Sequence, residues 1–358
     1  MTIATPRPLS AVLAERWNRS TLLRHLSIAV VGLAGYYLLS ISLDAFHDLQ
    51  LAQISYTAIA AAVLTVLSGL SGQISLGHGA LMAVGAYSTA LLLEHQHWKL
   101  GLVLLASAAI TAVVGAVIGL AAARLRGPYL AGATLALAVG LPSLANYHEL
   151  RNVLGGANGL LVAPAPPPLS LGETFPVERW QAWICGLCLV ITLVLLANLA
   201  SSRIGRDMRL VREDEDAAAL AGVHVARTQV FTFAISAAAA GLAGGLFAFV
   251  NQLASPGAFP LSLSLALLAA AVLGGLGSLA GAIYGSIIVT LLPTWSADVA
   301  QSAHLSRSVY ANVPLVVYGV VLIGVMILFP SGLQGGVRWA GRWLWVTIRR
   351  PLARKDSH

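Results

Sequence analysis

The sequence predicts an all-α protein, a polytopic transmembrane helical bundle of about ten spans, with eight or nine still open, and with broken or re-entrant segments. Three observations predict it. Of the 358 residues, 58% are hydrophobic and only 10% charged, where soluble domains carry about 25% charged residues. From Thr228 to Ala297 there is no Asp, Glu, Lys or Arg, a run of 70 residues; one span needs only ~20. The apolar runs are also continuous. Barrel strands would instead alternate over segments of ~10 residues.

The runs cover about 26–43, 50–68, 79–93, 100–123, 129–145, 180–200, 228–250, 261–277, 279–295 and 313–332. The first follows Arg7, Arg16, Arg19 and Arg24 and has no evident small-x-small cleavage site, so it reads as a retained span. The third is short enough to be tilted or partly re-entrant. The eighth and ninth are divided only by Gly274-Gly275-Leu276-Gly277-Ser278. Cys185 and Cys188 lie three apart in an apolar run and read as small packing residues. Gly115-x-x-x-Gly119 and Gly281-x-x-x-Gly285 let helices approach closely.

Basic residues orient the spans. With the N-terminus in the cytoplasm, the inside segments hold all but four of the 21 basic residues; Lys99, Arg151, Arg179 and Arg307 fall outside. Both termini are therefore expected in the cytoplasm. The chain divides into a cytoplasmic segment 1–25, a membrane domain 26–337 and a basic cytoplasmic tail 338–358. An outside loop covers 146–179 and a charged cytoplasmic loop 201–227. The sequon Asn18-Arg19-Ser20 falls inside and should carry no glycan. The net charge of +7 does not imply nucleic acid, because the basic residues sit between apolar runs. Membrane lipid is the expected surrounding.

Two predicted inside connections interrupt apolar sequence with glycine and polar residues. Between Ser71 and Ala80 lie Gly72, Gln73, Ser75, Gly77, His78 and Gly79. Backbone that leaves helical geometry at membrane depth must be shielded by protein or line a polar cavity, and such breaks often mark a transport path. These residues are candidates for the path or its inner gate, or for holding the break open. His78 has no second ligand at metal-binding spacing, so no metal is expected. The second break holds Gly275, Gly277 and Ser278. Its Gly275-x-x-Ser278-Leu279 echoes Gly72-x-x-Ser75-Leu76, through a true repeat or through chance.

In the charged loop, Glu213 and Asp214 precede Ala217, Ala218 and Ala221, and Gly222 follows. Alanine favours helix and glycine ends it, so a short helix is expected from about Asp214 to Ala221. Alone in water such a helix is marginal; it needs a partner surface.

No Gly-Lys-Ser/Thr occurs, so the chain supplies no standard ATP site and no cofactor is expected in it. The predicted spans contain no Asp, Glu, Lys or Arg. Ion-coupled carriers usually keep such residues in the membrane, which argues against an ion-coupled secondary amino acid carrier. No cluster of acid, base and metal ligands suggests a membrane enzyme.

The segment Gly72-Gln73-Ile74-Ser75-Leu76-Gly77-His78-Gly79, followed by Ala80-Leu81-Met82-Ala83-Val84-Gly85-Ala86-Tyr87, resembles the permease subunits of branched-chain amino acid ABC importers of the LivM type. Gly155-Gly156-Ala157-Asn158-Gly159-Leu160 in the outside loop, Gly205–Gly245 and Leu273–Pro293 extend the resemblance over about 54–333. Pro166-Pro167-Pro168 and the uncharged Gly281–Leu292 run depart from it. The resemblance implies a permease in the bacterial inner membrane that imports Leu, Ile or Val. It would work with a homologous second permease, two ATPase subunits that use the ATP, and an external substrate-binding protein. Glu213, Asp214, Ala217, Ala218, Ala221 and Gly222 would then form the helix that couples to the ATPase. Urea, amides or another small carboxylate remain alternative cargoes.

Overall fold

The computed structural model describes residues 21–96, 98–124, 128–172, 174–302, 307–329 and 332–338. Segment 1–20 with its sequon, and the basic tail beyond Arg338, lie outside the described residues. In chain order the helices are α1 (Thr21–Ser42), α2 (Ala45–Ser71), α3 (His78–Gln96), α4 (Leu100–Ala122), α5 (Pro128–Ala145) and the short α6 (Arg151–Leu154). Then follow α7 (Val177–Ser201), α8 (Arg203–Glu213), α9 (Glu215–Leu220), α10 (Val225–Asn251), α11 (Leu261–Gly274), α12 (Leu279–Ser302) and α13 (Arg307–Leu328). The described residues contain one sheet, a two-residue ribbon of β1 (Leu160–Leu161) and β2 (Leu253–Ala254).

Every predicted apolar run falls on a helix. Among the described residues, seven segments are long and apolar enough to cross a membrane; α5 and part of α13 add shorter apolar stretches. The run at 79–93, short enough in the sequence to be tilted or partly re-entrant, belongs to one 19-residue helix, α3. The charged loop 201–227 is more ordered than expected. It holds α8 as well as the short helix.

α2 and α10 form the centre. The apolar window of α2 is 89% buried and that of α10 72%, against 6% for α1 at the periphery. Their sequences explain the difference. Ala58, Ala60, Ala61 and Ala62 on α2, and every residue from Ala237 to Gly245 on α10 except Leu242, carry small side chains, so neighbouring backbones come close. A Cβ on Gly115 would strike Ala237, and one on Gly285 would strike the Ala270 carbonyl. The two predicted small-residue patterns thus do mark helix contacts.

The end of the bundle opposite α8 and α9 is closed by loops. Leu160 and Leu161 pair antiparallel with Ala254 and Leu253, and the Val162 amide donates to the Gln252 carbonyl. Gly155, Gly156 and Gly159 all take positive φ in the turn before this ribbon, which only glycine adopts at little cost. At the same end, α2 begins earlier than the apolar run suggested. Asp44 caps it, accepting from the His47 amide at 3.0 Å. That hydrogen bond, with one from the His47 ring, lowers the Asp44 carboxyl below its ordinary range.

The earlier start brings Asp48 into the helix, which corrects the expectation of spans without ionisable groups. Its side chain is fully buried. Arg179 on α7 pairs with it at 3.1 Å and also donates to the Leu43 carbonyl, while the Ser40 hydroxyl donates at 2.6 Å. A charge in this setting requires a partner, and both Asp48 oxygens have one. The pair ties the α1–α2 corner to the start of α7.

Candidate functional site

The first break begins where α2 ends. Gly72 has φ +72°, and its amide and that of Gln73 both donate to the Leu67 carbonyl. This is the left-handed ending that glycine favours. Six residues, Gly72 to Gly77, then lie outside helix before α3 starts at His78. Three other helices serve their freed polar groups. The Leu76 amide donates to Thr134 Oγ1 on α5 at 3.0 Å, and the Gly79 amide donates to Ser264 Oγ on α11 at 3.0 Å. The His78 ring is fully buried; Nδ1 lies 3.0 Å from Ser75 Oγ and Nε2 lies 2.6 Å from Ser236 Oγ on α10. Both ring nitrogens are engaged by hydroxyls, an arrangement that holds a ring in place and leaves it no free site for a metal.

Gln73 is less well served. Its Nε2 donates to the Gln229 carbonyl on α10 at 3.4 Å, and its buried Oε1 has no partner among the described residues. Ser68 Oγ donates to the Gln73 carbonyl. The six residues predicted for this break therefore gather in one place. Thr134, Gln229, Ser236 and Ser264, which complete it, were missed. Thr134 and Ser236 showed only as single polar residues in apolar stretches, and Gln229 and Ser264 only as polar residues near others of their kind.

The second break is shorter, Gly275 to Ser278. Gly275 and Gly277 take φ of +106° and +86°, and Ser278 caps α12 by accepting from the Gly281 amide at 3.1 Å. It lies directly against the first break. A Cβ on Gly69, in the last turn of α2, would collide with the Gly277 backbone.

The predicted coupling helix forms as α9, with Asp214 as its cap accepting from the Asp216 and Ala217 amides, both at 2.9 Å. Ala221 ends it and Gly222 turns the chain at φ +87°. Glu213, Ala217, Ala221 and Gly222 are exposed; Ala218 is buried at 1% and faces the protein's own core. The exposed apolar tip is Leu220, 91% accessible, which the alanine pattern had obscured. Beside it lies a groove of about 440 Å³ lined by Ala219, Gly222, Val223, His224 and Arg227, among others.

Contacts from α8 and α9 reach the first break, and Gly69 of α2 stands between them and the second. Arg212, at the end of α8, donates to the Gly69 carbonyl and lies over Gly72. Glu215 Oε1 accepts from Gln229 Nε2 at 2.8 Å, and the Gln229 carbonyl accepts from Gln73. Three segments predicted separately thus meet at one end of the bundle.

The family model described as branched-chain amino acid transport system / permease component matches residues 48–329, from the buried Asp48 to the end of α13. The chain belongs to that family. It is 31% identical over 293 residues to the high-affinity branched-chain amino acid transport system permease protein LivM of Salmonella typhimurium, covering 75% of this chain and 65% of the relative. It is 25% identical over 289 residues to BraD of Pseudomonas aeruginosa, a protein of the same description, covering 78% of this chain and 91% of BraD. A shorter match, 33% over 159 residues, joins it to the permease protein LivH of Escherichia coli, covering 44% and 48% of the two chains. The chain thus spans about 65% of the length of its LivM relatives, and it is similar to LivH as well. No solved structure matches it. The matched region includes both breaks and α9, so the site described above lies wholly within the shared part.

Proposed function

We propose that this chain is the membrane-spanning permease of an ATP-driven importer of branched-chain amino acids. The observation that carries the reading is the meeting of two helix breaks with a short capped surface helix, inside a chain of this permease family. Helix breaks at this end of the bundle provide polar backbone for a path, and an exposed helix tip provides a surface for a separate motor. The similarity to both LivM and LivH supports a homologous second permease as partner. Two ATPase subunits and an external substrate-binding protein complete the assembly. The chain itself binds no ATP. α8 and α9 face the cytoplasm, as do both termini; the β1–β2 ribbon faces outside the inner membrane of a bacterium. This places the basic residues Arg203 to Arg227 on the side that the charge rule requires. ATP binding closes the ATPases, α9 moves with them, and the path passes from outward-open to inward-open.

The test is uptake into vesicles by the chain reconstituted with its partners. Labelled leucine should enter only with ATP and the binding protein present. Isoleucine and valine should compete, and urea and amides should not. Uptake that needs no ATPase and collapses with an ion gradient would overturn the reading. Orientation is tested separately, in a background lacking Cys185 and Cys188. An impermeant thiol reagent applied outside should label Ser170→Cys and spare Ala221→Cys.

A further inference from the structure

We propose that Arg212 is the positioning residue through which movement of α9 reaches both helix breaks together. The inference rests on the function proposed above and goes beyond it, because it names one side chain as the link.

The chemistry starts with the Gly69 carbonyl. Carbonyls in the last turn of a helix lack an intrahelical partner. The Gln73 amide, which would have served Gly69 had α2 continued, turns back to Leu67 instead. The Gly69 oxygen therefore needs another donor, and Arg212 supplies it from a different helix. The guanidinium is permanently charged, and the C-terminal end of a helix carries partial negative charge. The contact is thus charge-assisted and stronger than an ordinary amide hydrogen bond.

Geometry extends its reach. The aliphatic stem of Arg212 lies over Gly72, where an added Cβ would sit 3.0 Å from Arg212 Cγ. On its other side the Gly69 peptide touches the backbone of Gly277. One peptide unit is therefore gripped by Arg212 and abuts the second break, while the same arginine covers the hinge glycine of the first. Rotation of Arg212 would act on Gly72 directly and on the second break through the Gly69 peptide.

The other end of the link is equally defined. Arg212 lies two residues before Asp214, whose extended backbone (φ −159°, ψ 114°) separates α8 from α9. Asp214 caps α9, so a displacement of α9 acts first at this joint. Met208 and Val211 are buried and hold α8 against the bundle; Arg212 is the next residue after that anchor. The link Glu215–Gln229–Gln73 runs parallel but reaches only the first break.

The experiment uses the whole complex in vesicles and reads leucine taken up per ATP hydrolysed, with assembly and melting temperature alongside. The wild-type complex must first show ATP-driven uptake; if it does not, the proposed function fails and not this link. Arg212→Gln should assemble and melt near wild type, and ATP should still be hydrolysed. Uptake per ATP should fall about tenfold, a typical size for coupling between sites. Arg212→Lys, which keeps a charged donor, should recover part of the ratio. If Arg212→Gln leaves the ratio unchanged, or lowers uptake and hydrolysis in proportion, the proposal is wrong. If Arg212→Gln does not assemble, Arg212→Lys decides. Assembly with a reduced ratio supports the link; assembly with the wild-type ratio, or no assembly, refutes it.

Discussion

The two helix breaks share a sequence echo, Gly-x-x-Ser-Leu, yet are held by different physics. The first spans six residues and is held by side chains. Thr134, Ser236 and Ser264 reach it from three helices, and His78 bridges two serines. The second spans four residues and is held by backbone contact. Ser278 bonds within its own helix, Gly277 abuts Gly69, and Gly274 abuts Gly281. Even the matched serines differ in role: Ser278 is the cap of α12, whereas Ser75 lies three residues before His78 and holds the ring. The echo thus places a positive-φ glycine after each helix end but gives its two serines different roles. The difference teaches that the first break is a polar joint held by hydroxyls from three helices, while the second is a steric pivot whose close approach at Gly69 leaves no room for a side chain.

The sharpest test adds one methyl group. Gly69→Ala would place a Cβ against the Gly277 backbone, and no flexible side chain is there to yield. Overpacking of this kind costs about 1–3 kcal/mol, more where backbone must move. The variant should show the largest loss of melting temperature in detergent and the largest loss of membrane abundance. Gly277→Ala meets no atom closer than 3.9 Å, but its φ of +86° penalises any side chain by about 1–2 kcal/mol. If Gly69→Ala melts like wild type, the second break is not a steric pivot.

The unequal legibility of the site follows from the same contrast. Glycine and polar residues in an apolar run can be seen in one dimension, so both breaks and the end of α9 at Gly222 were read correctly. The partners of the first break could not be, because a lone Ser236 or Thr134 looks the same whether it bonds its own helix or another. α8 was hidden for a different reason. Its arginines read as a charged loop, although Gly205, Met208 and Val211 recur three apart and are the buried face. Asp48 lay two residues outside the apolar run, and nothing local announces a partner at position 179. The helical bundle, by contrast, was legible throughout, since burial of long apolar runs is a property of composition.

Cutting one polar bond should cost less than the methyl group. Ser236→Ala removes the hydroxyl 2.6 Å from His78 Nε2 and leaves a buried ring nitrogen without a partner. Such an orphan costs about 1–3 kcal/mol in soluble proteins, and bonds between membrane helices average nearer ~0.6 kcal/mol. A loss of about 1 kcal/mol is expected between those limits. A double-mutant cycle with His78→Ala should show the two changes to be non-additive. Ser278→Ala removes only a helix cap, worth roughly 0.5–1 kcal/mol, and should show additivity with every residue of the first break. Coupling between Ser278 and His78 would dissolve the distinction between joint and pivot.

The smallest effect on stability should come from Gln73. Its amide nitrogen makes one long bond of 3.4 Å and its buried oxygen makes none among the described residues. Removing both polar atoms by Gln73→Leu replaces a poorly served group with an apolar one of similar size, which can be neutral or stabilising. Melting should therefore change by less than about 1 kcal/mol equivalent in either direction. A group kept buried and half-satisfied calls for an explanation other than stability. On the function proposed above, the expected explanation is a bond made only in another state of the path. Leucine uptake by the reconstituted complex should then fall markedly while melting holds. Gln73→Glu, isosteric and keeping the unpartnered oxygen, should lose more stability, because it adds an uncompensated charge. If Gln73→Leu transports at the wild-type rate, the unpartnered oxygen serves no second state. If it melts well below wild type, the long bond to Gln229 is structural, and the first break is as rigid as the second.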